Sequence, residues 1–593
     1  MMTQKRIATA AVLGIAFLSW VIIAASPTSR TELWYERSQI YLNAIRSGDL
    51  AQTYTQYHPG ATVMAVGAAS LQVHDLVPLP TGLLLPESTN SLGQSMAVVT
   101  WGQGLMMVGT MVGIAFTVRA LTDEDWLPVA VMGLMAFSPF LLSNMRSIHL
   151  DAPLALFMVL SALLILVYRQ HGGWIWLVGS AAVGGLALLT KSPAVFLLPY
   201  VGLVLLTHAV ESIVRAEHKS MLLIASTVLR EIALPLLAWV AVAGVVFFVC
   251  FPAMWVQPLI VLREIADAAV LHAEAPHPNP IFFAGDLYTE RLTPLHYPIT
   301  MGFLVSGVVF GLGLLGLFFM LAPKLRRRLP VPLLTYGLLW AFVLFFTVQM
   351  TLSAKVAARY VLPVYPMLAV VAAVGLIHAQ RIVRETFSRE AAFAFLAIPL
   401  ALQLTLALVY HPELGTHTNH LLGGGRVAQN WIQLNDQNEG TLALVRHIHA
   451  DAAGDEVSVT IQPPLLPTWE RFTTLELLPW DYGGDYVVFQ QSTTLREFGI
   501  EQWSYWLNQL EGQQPAAAFV VDGVMYQWLY DVNDPPAEIT IYRDGWEGFV
   551  PLSWVWFLGT LGVTGAAVFQ QRPAQNETPI GEGGHRGAVP GDR

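Results

Sequence analysis

Residues Ser143 to Leu156 read SNMRSIHLDAPLAL, placing Arg146, His149 and Asp151 within six positions. Residues 127–143 upstream and 152–168 downstream are both apolar runs. Charge at membrane depth is costly and is kept where it faces a cavity or a partner. The stretch therefore predicts one helix end, a short polar turn and a second helix start at one face of a membrane. It sets the fold class as a polytopic α-helical membrane protein.

The whole chain agrees. Of its 593 residues, 54% are hydrophobic and only 12% charged, with mean hydropathy +0.53. Soluble chains carry about a quarter charged residues. A net charge of −10 argues against nucleic acid as a partner. The one cysteine, Cys250, excludes an internal disulfide and any cysteine metal cluster, and its place at the end of an apolar run predicts plain packing. The N-terminal apolar run, residues 7–25, exceeds a signal-peptide core of roughly 7–15 residues and reads as an uncleaved first span.

Further apolar runs lie near 95–118, 127–143, 152–168, 174–190, 193–207, 231–250, 298–321, 331–350, 361–377, 391–410 and 551–569, giving about 12 spans. With the N-terminus in the cytoplasm, the short cytoplasmic loops hold Arg119, Arg169, Arg215, the KLRRR run Lys324–Arg328, and Arg381, Arg384 and Arg389, a consistent positive-inside pattern. The organisation that follows is a multi-span part, 1–410, with a long first outer loop, 26–94. Next come an outer domain, 411–549, a last spanning helix, 550–570, and a disordered cytoplasmic tail, 571–593, rich in Gly and Pro. Strand-like VSVTI, DYVVF, AAFVV and EITIY alternate with helix-like GTLALVRHIHADAA and WSYWLNQL, so 411–549 is expected to be a small extracytoplasmic α/β domain. In the first outer loop, LWYERSQIYLNAI has the pattern of a helix lying in the interface.

The outer face carries cations against the topological trend: Arg146, Lys191 in LLTKSPAV, and Lys355 and Arg359 in SAKVAARYVLP. An anion there would account for them, and a lipid phosphate suits both the arginine fork and the lysine point charge. The outer acids Glu32, Glu36, Asp49, Asp75 and Asp151 include candidates for deprotonating a hydroxyl. Asp151 is also placed to cap its helix. His58, in YHPGATVM, stands beside a Pro-Gly turn. There is no HExxH, P-loop or dinucleotide fingerprint, no internal repeat, and no ring of like charges such as a channel uses.

Five stretches carry a resemblance: GDLAQTYTQYHPGATVM, RSIHLDAPLALF, ALLTKSPAVFLLP, ARYVLPVYPMLAV and NHLLGGGRVA. In this order the chain resembles the GT-C membrane glycosyltransferases, of the protein O-mannosyltransferase and lipid A aminoarabinose transferase type, over roughly residues 1–430. The resemblance implies a GT-C-like fold in the plasma membrane (the bacterial inner membrane). It also implies a mannosyltransferase-like transfer, with inversion, from a polyprenyl-phosphate-linked sugar donor to a protein or glycolipid acceptor on the outer face. By position it implies Glu32, Glu36 and Asp151 as catalytic acids. By position it also implies Lys191 and Arg359 as contacts to the carrier phosphate and His58 as the histidine of the His-Pro turn, and Arg146, His149, Lys355 and Tyr360 stand beside them as further substrate-binding candidates on the outer face. No cofactor is required, although paired acids are able to hold a divalent cation. The pattern departs in one place: the family's Asp-Glu pair after the first span is Thr31-Glu32 here, within TSRTELWYERS. The competing expectation is a non-catalytic lipid-phosphate-binding protein, or a lipid-carrier flippase, that keeps the same fold.

Overall fold

The computed structural model describes residues 2–27, 32–85, 90–216, 220–274, 280–290, 292–434, 438–462, 465–473, 475–479, 483–495, 500–543 and 549–570. The 571–593 tail lies outside them. Each apolar run is helical, since in lipid the backbone must satisfy its own hydrogen bonds. Among the described residues eight helices are long and apolar enough to cross a membrane, or ten if two bent pairs each count as one span. Trp174–Thr190 and Leu552–Ala566 are shorter apolar helices. The chain is a multi-pass membrane protein, mostly helical, with a small sheet-containing part near its C-terminus.

The bends have local causes. Leu127–Ala136 and Pro139–Met145 meet at 66°, and Pro139, lacking an amide hydrogen, opens the second helix. His296–Leu304 and Gly307–Leu321 meet at 119°, where Ser306 Oγ accepts from the Val309 amide and starts the new helix. Helix Gly307–Leu321 then packs backbone to backbone on Val364–Thr386: a Cβ on Gly375 would lie 2.8 Å from the Leu312 carbonyl oxygen and 3.0 Å from Gly316 Cα. Close approach through small residues is how spans associate without a hydrophobic driving force. Cys250, expected to pack, is exposed at the end of helix Leu234–Val249.

The basic loops share one end of the bundle. Thr122 Oγ1 donates to the Pro330 carbonyl (2.7 Å), and Arg381 pairs with Glu124. Helix Asp151–His171 runs from the other end, with Asp151 first and Arg169 in its last turn. That other end carries helices Glu32–Ser47 and Ala61–Leu76 of the first loop. Trp34, Tyr35 and Tyr41 pack there with Val63, Met64, Met96 and Val99, and Ile148 and Leu150 of the quoted turn insert among them.

Eight strands occur among the described residues. β1 (Ile281–Phe283) and β2 (Asp286–Tyr288) form a small antiparallel pair. The other six are β3 (Ser458–Ile461), β4 (Glu476–Pro479), β5 (Tyr486–Gln490), β6 (Ala517–Val521), β7 (Val524–Asp531) and β8 (Thr540–Tyr542). They form one mixed sheet, ordered β4-β3-β5-β7-β6-β8. β3 is parallel to β4 and β5, β7 is antiparallel to β5 and β6, and β8 is parallel to β6. Helix Thr441–Asp451 covers one face through Leu444, Val445 and Ile448, and Trp506 of Ile500–Gln509 packs with Phe489 on β5.

Candidate active site

Three segments far apart in sequence meet at the end of the bundle opposite the basic loops. Lys191 follows helix Trp174–Thr190 in extended conformation, because Ser192-Pro193 starts a new 3₁₀ turn behind it. Arg359 and Tyr360 lie on the 3₁₀ turn Ala358–Val361, between two spans. Asp151 starts its helix after the turn at 147–150, which is buried except at the half-buried His149. Its side chain makes no capping bond; it joins the other two segments instead. Lys191 Nζ is 2.6 Å from Asp151 Oδ1, Arg359 Nε is 3.3 Å from Oδ2, and His149 Nδ1 is 3.0 Å from Oδ2. Both cations also lie against the Tyr360 ring, at 4.8 and 5.6 Å from its centroid.

The first loop closes the group. Gly60 N donates to the Thr190 carbonyl (3.2 Å), and the Thr62 and Thr190 hydroxyls are 2.7 Å apart. The Tyr57–Pro59 turn is thereby fixed beside Lys191. Gly60 has φ +59, and a Cβ there would lie 2.1 Å from the Trp34 ring. Only glycine meets both conditions.

These residues border a cavity of about 530 Å³. Its polar wall includes Tyr57, His58, Asp151, Lys191, Lys355 and Tyr360. Its apolar wall includes Leu154, Phe196, Met350 and Leu352. Asp151 and Lys191 are buried, at 3% and 6% exposure. Burial holds the His149 imidazole below its usual pKa. Asp151 opposes this, and the nearby Arg359 and Lys191 reinforce it. His149 is therefore neutral at pH 7, and among the described residues the cations Lys191 and Arg359 both pair with the one Asp151 carboxylate. Burial raises the Tyr57 phenol, so it stays a hydrogen-bond donor. Among the described residues the polar end gathers Lys191, Arg359 and Lys355 around Asp151, an arrangement suited to an anion. Among the described residues, no group of three or more His, Cys, Asp or Glu is placed to hold a metal ion.

The other expected site residues fall elsewhere. Arg146 is buried (1% exposed) and turns away toward residues 412–439, where it pairs with Glu439 and donates to the Pro412 carbonyl at 2.6 Å. Glu36 is exposed on helix Glu32–Ser47 and is not part of the cavity wall, because Trp34, Ser38 and Tyr41 form that helix's inward face. Glu32 is the first residue of the same helix, and its side chain lies outside the described residues. Sequence reasoning missed Tyr57 and Gln349 on the wall. Tyr57 adjoins His58 in the quoted motif, whereas nothing local marks Gln349 inside its apolar helix.

Comparison with known proteins bears on residues 78–239, which match the family described as dolichyl-phosphate-mannose-protein mannosyltransferase. Two solved structures of ArnT from Cupriavidus metallidurans are distantly similar. The structure bound to undecaprenyl phosphate has 15% identity and TM-score 0.42, covering 88% of this chain and 98% of that one. The apo structure has 15% identity and TM-score 0.45, covering 87% and 96%. No curated protein matches by sequence. The matched segment holds Arg146, His149, Asp151 and Lys191, and over it the chain is similar to that mannosyltransferase family, in keeping with its resemblance to the GT-C glycosyltransferases.

Proposed function

We propose that the protein moves a sugar from a polyprenyl-phosphate carrier to an acceptor hydroxyl on the outer face of the membrane, with inversion. The observation that carries this reading is the division of the cavity wall. Lys191 and Lys355 stand with Asp151 at one end, where Arg359 also pairs with Asp151, and Leu154, Phe196, Met350 and Leu352 line the other side. A lipid phosphate divides in the same way, into a dianionic or monoanionic head and an apolar chain. The matched family's description makes a mannosyl donor the first to test. The positive-inside rule assigns the cavity to the extracytoplasmic side, since it lies opposite the basic loops.

In the proposed step the acceptor oxygen attacks the anomeric carbon, and the bond from that carbon to the phosphate oxygen breaks. The electron pair stays on the phosphate. Lys191 and Arg359, fixed in advance by Asp151, meet the charge that develops there. Asp151 is already engaged by both cations, so its proposed part is to hold them in place. The acceptor proton is assigned to Glu32, the first residue of the first-loop helix, because inversion calls for a base on the sugar face opposite the phosphate. The acceptor is a protein or glycolipid hydroxyl. No step requires a metal.

The missing aspartate at Thr31 and the exposure of Glu36 favour one second reading, a non-catalytic binder of lipid phosphate. The deciding experiment incubates purified protein with a panel of polyprenyl-phosphate sugars and measures transfer, hydrolysis and binding. Turnover of at least one donor, lost in Lys191→Gln, is the expected result. Tight binding of undecaprenyl phosphate with no turnover of any donor would assign the chain to the second reading.

A further inference from the structure

We propose that Glu439 is a positioning residue for the cavity, acting through Arg146 on the turn that carries His149 and Asp151. This inference rests on the lipid-phosphate reading of that cavity. Arg146 and Glu439 are each 1% exposed. Arg146 Nη2 pairs with Glu439 Oε2, and Arg146 Nη1 donates to the Pro412 carbonyl at 2.6 Å. Glu439 Oε1 accepts from the Gly415 amide at 2.7 Å. Each charge thus has a second, backbone partner on the 412–415 segment, and the ion pair is fixed from both sides. A buried pair of this kind adds little stability over an apolar pair of the same volume, and its best-attested use is to specify one arrangement.

Here the arrangement specified is that of a five-residue connection. Arg146 ends helix Pro139–Met145, donating its amide to the Leu142 carbonyl, and Asp151 begins the next helix. Between them Ile148 and Leu150, each 0% exposed, insert among the first-loop helices. Asp151 points to Lys191 and Arg359, and His149 points to Asp151. Side chains along the turn therefore reach three bodies: Arg146 the residues leading into the sheet, Ile148 and Leu150 the first loop, and Asp151, with His149 against it, the cavity. Releasing Arg146 frees one of these attachments and lets Asp151 shift relative to Lys191.

The test compares Glu439→Gln with Val459→Ala, a truncation in the sheet core, as a control for general destabilisation. Two readouts are taken on purified full-length protein: affinity for undecaprenyl phosphate, and the rate at which an amine-reactive reagent modifies Lys191, followed by mass spectrometry. Glu439→Gln is expected to weaken binding about tenfold and to speed Lys191 modification several-fold, with Val459→Ala leaving both near wild type. Unchanged Lys191 reactivity and affinity in folded Glu439→Gln would overturn the proposal, as would equal effects from Val459→Ala. Wild-type protein that fails to bind undecaprenyl phosphate would sink the reading of the cavity. The Lys191 rate would still decide whether Glu439 positions the turn.

Discussion

Lys191 Nζ sits 2.6 Å from Asp151 Oδ1, across 40 positions of sequence and within the wall of the cavity. Each is the other's main compensation for burial. In a double-mutant cycle on unfolding, Asp151→Asn and Lys191→Met are each expected to destabilise, and their interaction energy to be about 1–3 kcal/mol. Additive effects would mean the pair is not formed in the membrane.

Arg359 and Lys355 predict different phenotypes. Arg359 contacts Asp151 and Tyr360, so Arg359→Lys keeps the charge but loses the planar group that stacks on the ring. Binding of undecaprenyl phosphate is expected to fall about tenfold. Lys355 is on the cavity wall but is not among the cations paired with Asp151. Lys355→Gln should weaken binding only a few-fold and should make it less sensitive to salt.

Gly60→Ala should destabilise by about 2–4 kcal/mol, combining a positive φ with a side chain driven into Trp34. Chemical unfolding in detergent measures this. Tyr57 and His58 lie on the same turn, so lipid-phosphate affinity should fall in step.

His417 gives a pH prediction. It is 1% exposed, between Tyr410 and His420, and burial lowers its pKa to about 3. The unfolded chain takes up this proton below about pH 6.5 while the folded chain does not. Stability is therefore full above that pH and is lost as pH falls from about 6.5 toward 3, at roughly 1.4 kcal/mol per unit. His417→Phe should flatten the difference in unfolding free energy between pH 7.5 and 5.5 by about that amount. An unchanged difference would show that His417 does not stay neutral.

Topology is tested with Cys250→Ser as background and Glu538→Cys, at an exposed position, as reporter. The cysteine is expected to react with an impermeant thiol reagent in intact cells. Reaction only after lysis would place the sheet in the cytoplasm.

Much of this was legible in the sequence because it depends on local pattern. Spanning helices announce themselves by run length, and the cations Lys191 and Arg359 stood out because they opposed the topological trend. The four expected strands are all present. β7 was missed although Asp522-Gly523, both at positive φ, stands between it and β6, and Asp-Gly between apolar runs is a strong hairpin signal. The exposure of Glu36 was also within reach, since Trp34, Ser38 and Tyr41 follow the helical period and leave Glu36 on the far side. The fate of Arg146 was not. Its partner lies 293 positions away in QNEGTL, a stretch with only turn chemistry to show. Whether an arginine meets a ligand or a distant glutamate is settled by tertiary packing.

The order in which the cavity's charges occur along the chain has a consequence for biosynthesis. Asp151 and Lys191 are made and inserted first, and together they are neutral. Lys355 of the cavity wall and Arg359, the second cation on Asp151, arrive more than 150 residues later. A nascent chain still threading through the insertion machinery thus holds a closed ion pair, and on the proposed reading the lipid-phosphate site is completed only when the segment after Leu352 is delivered. On that reading, products truncated before residue 355 are expected to bind lipid phosphate more weakly than the full chain.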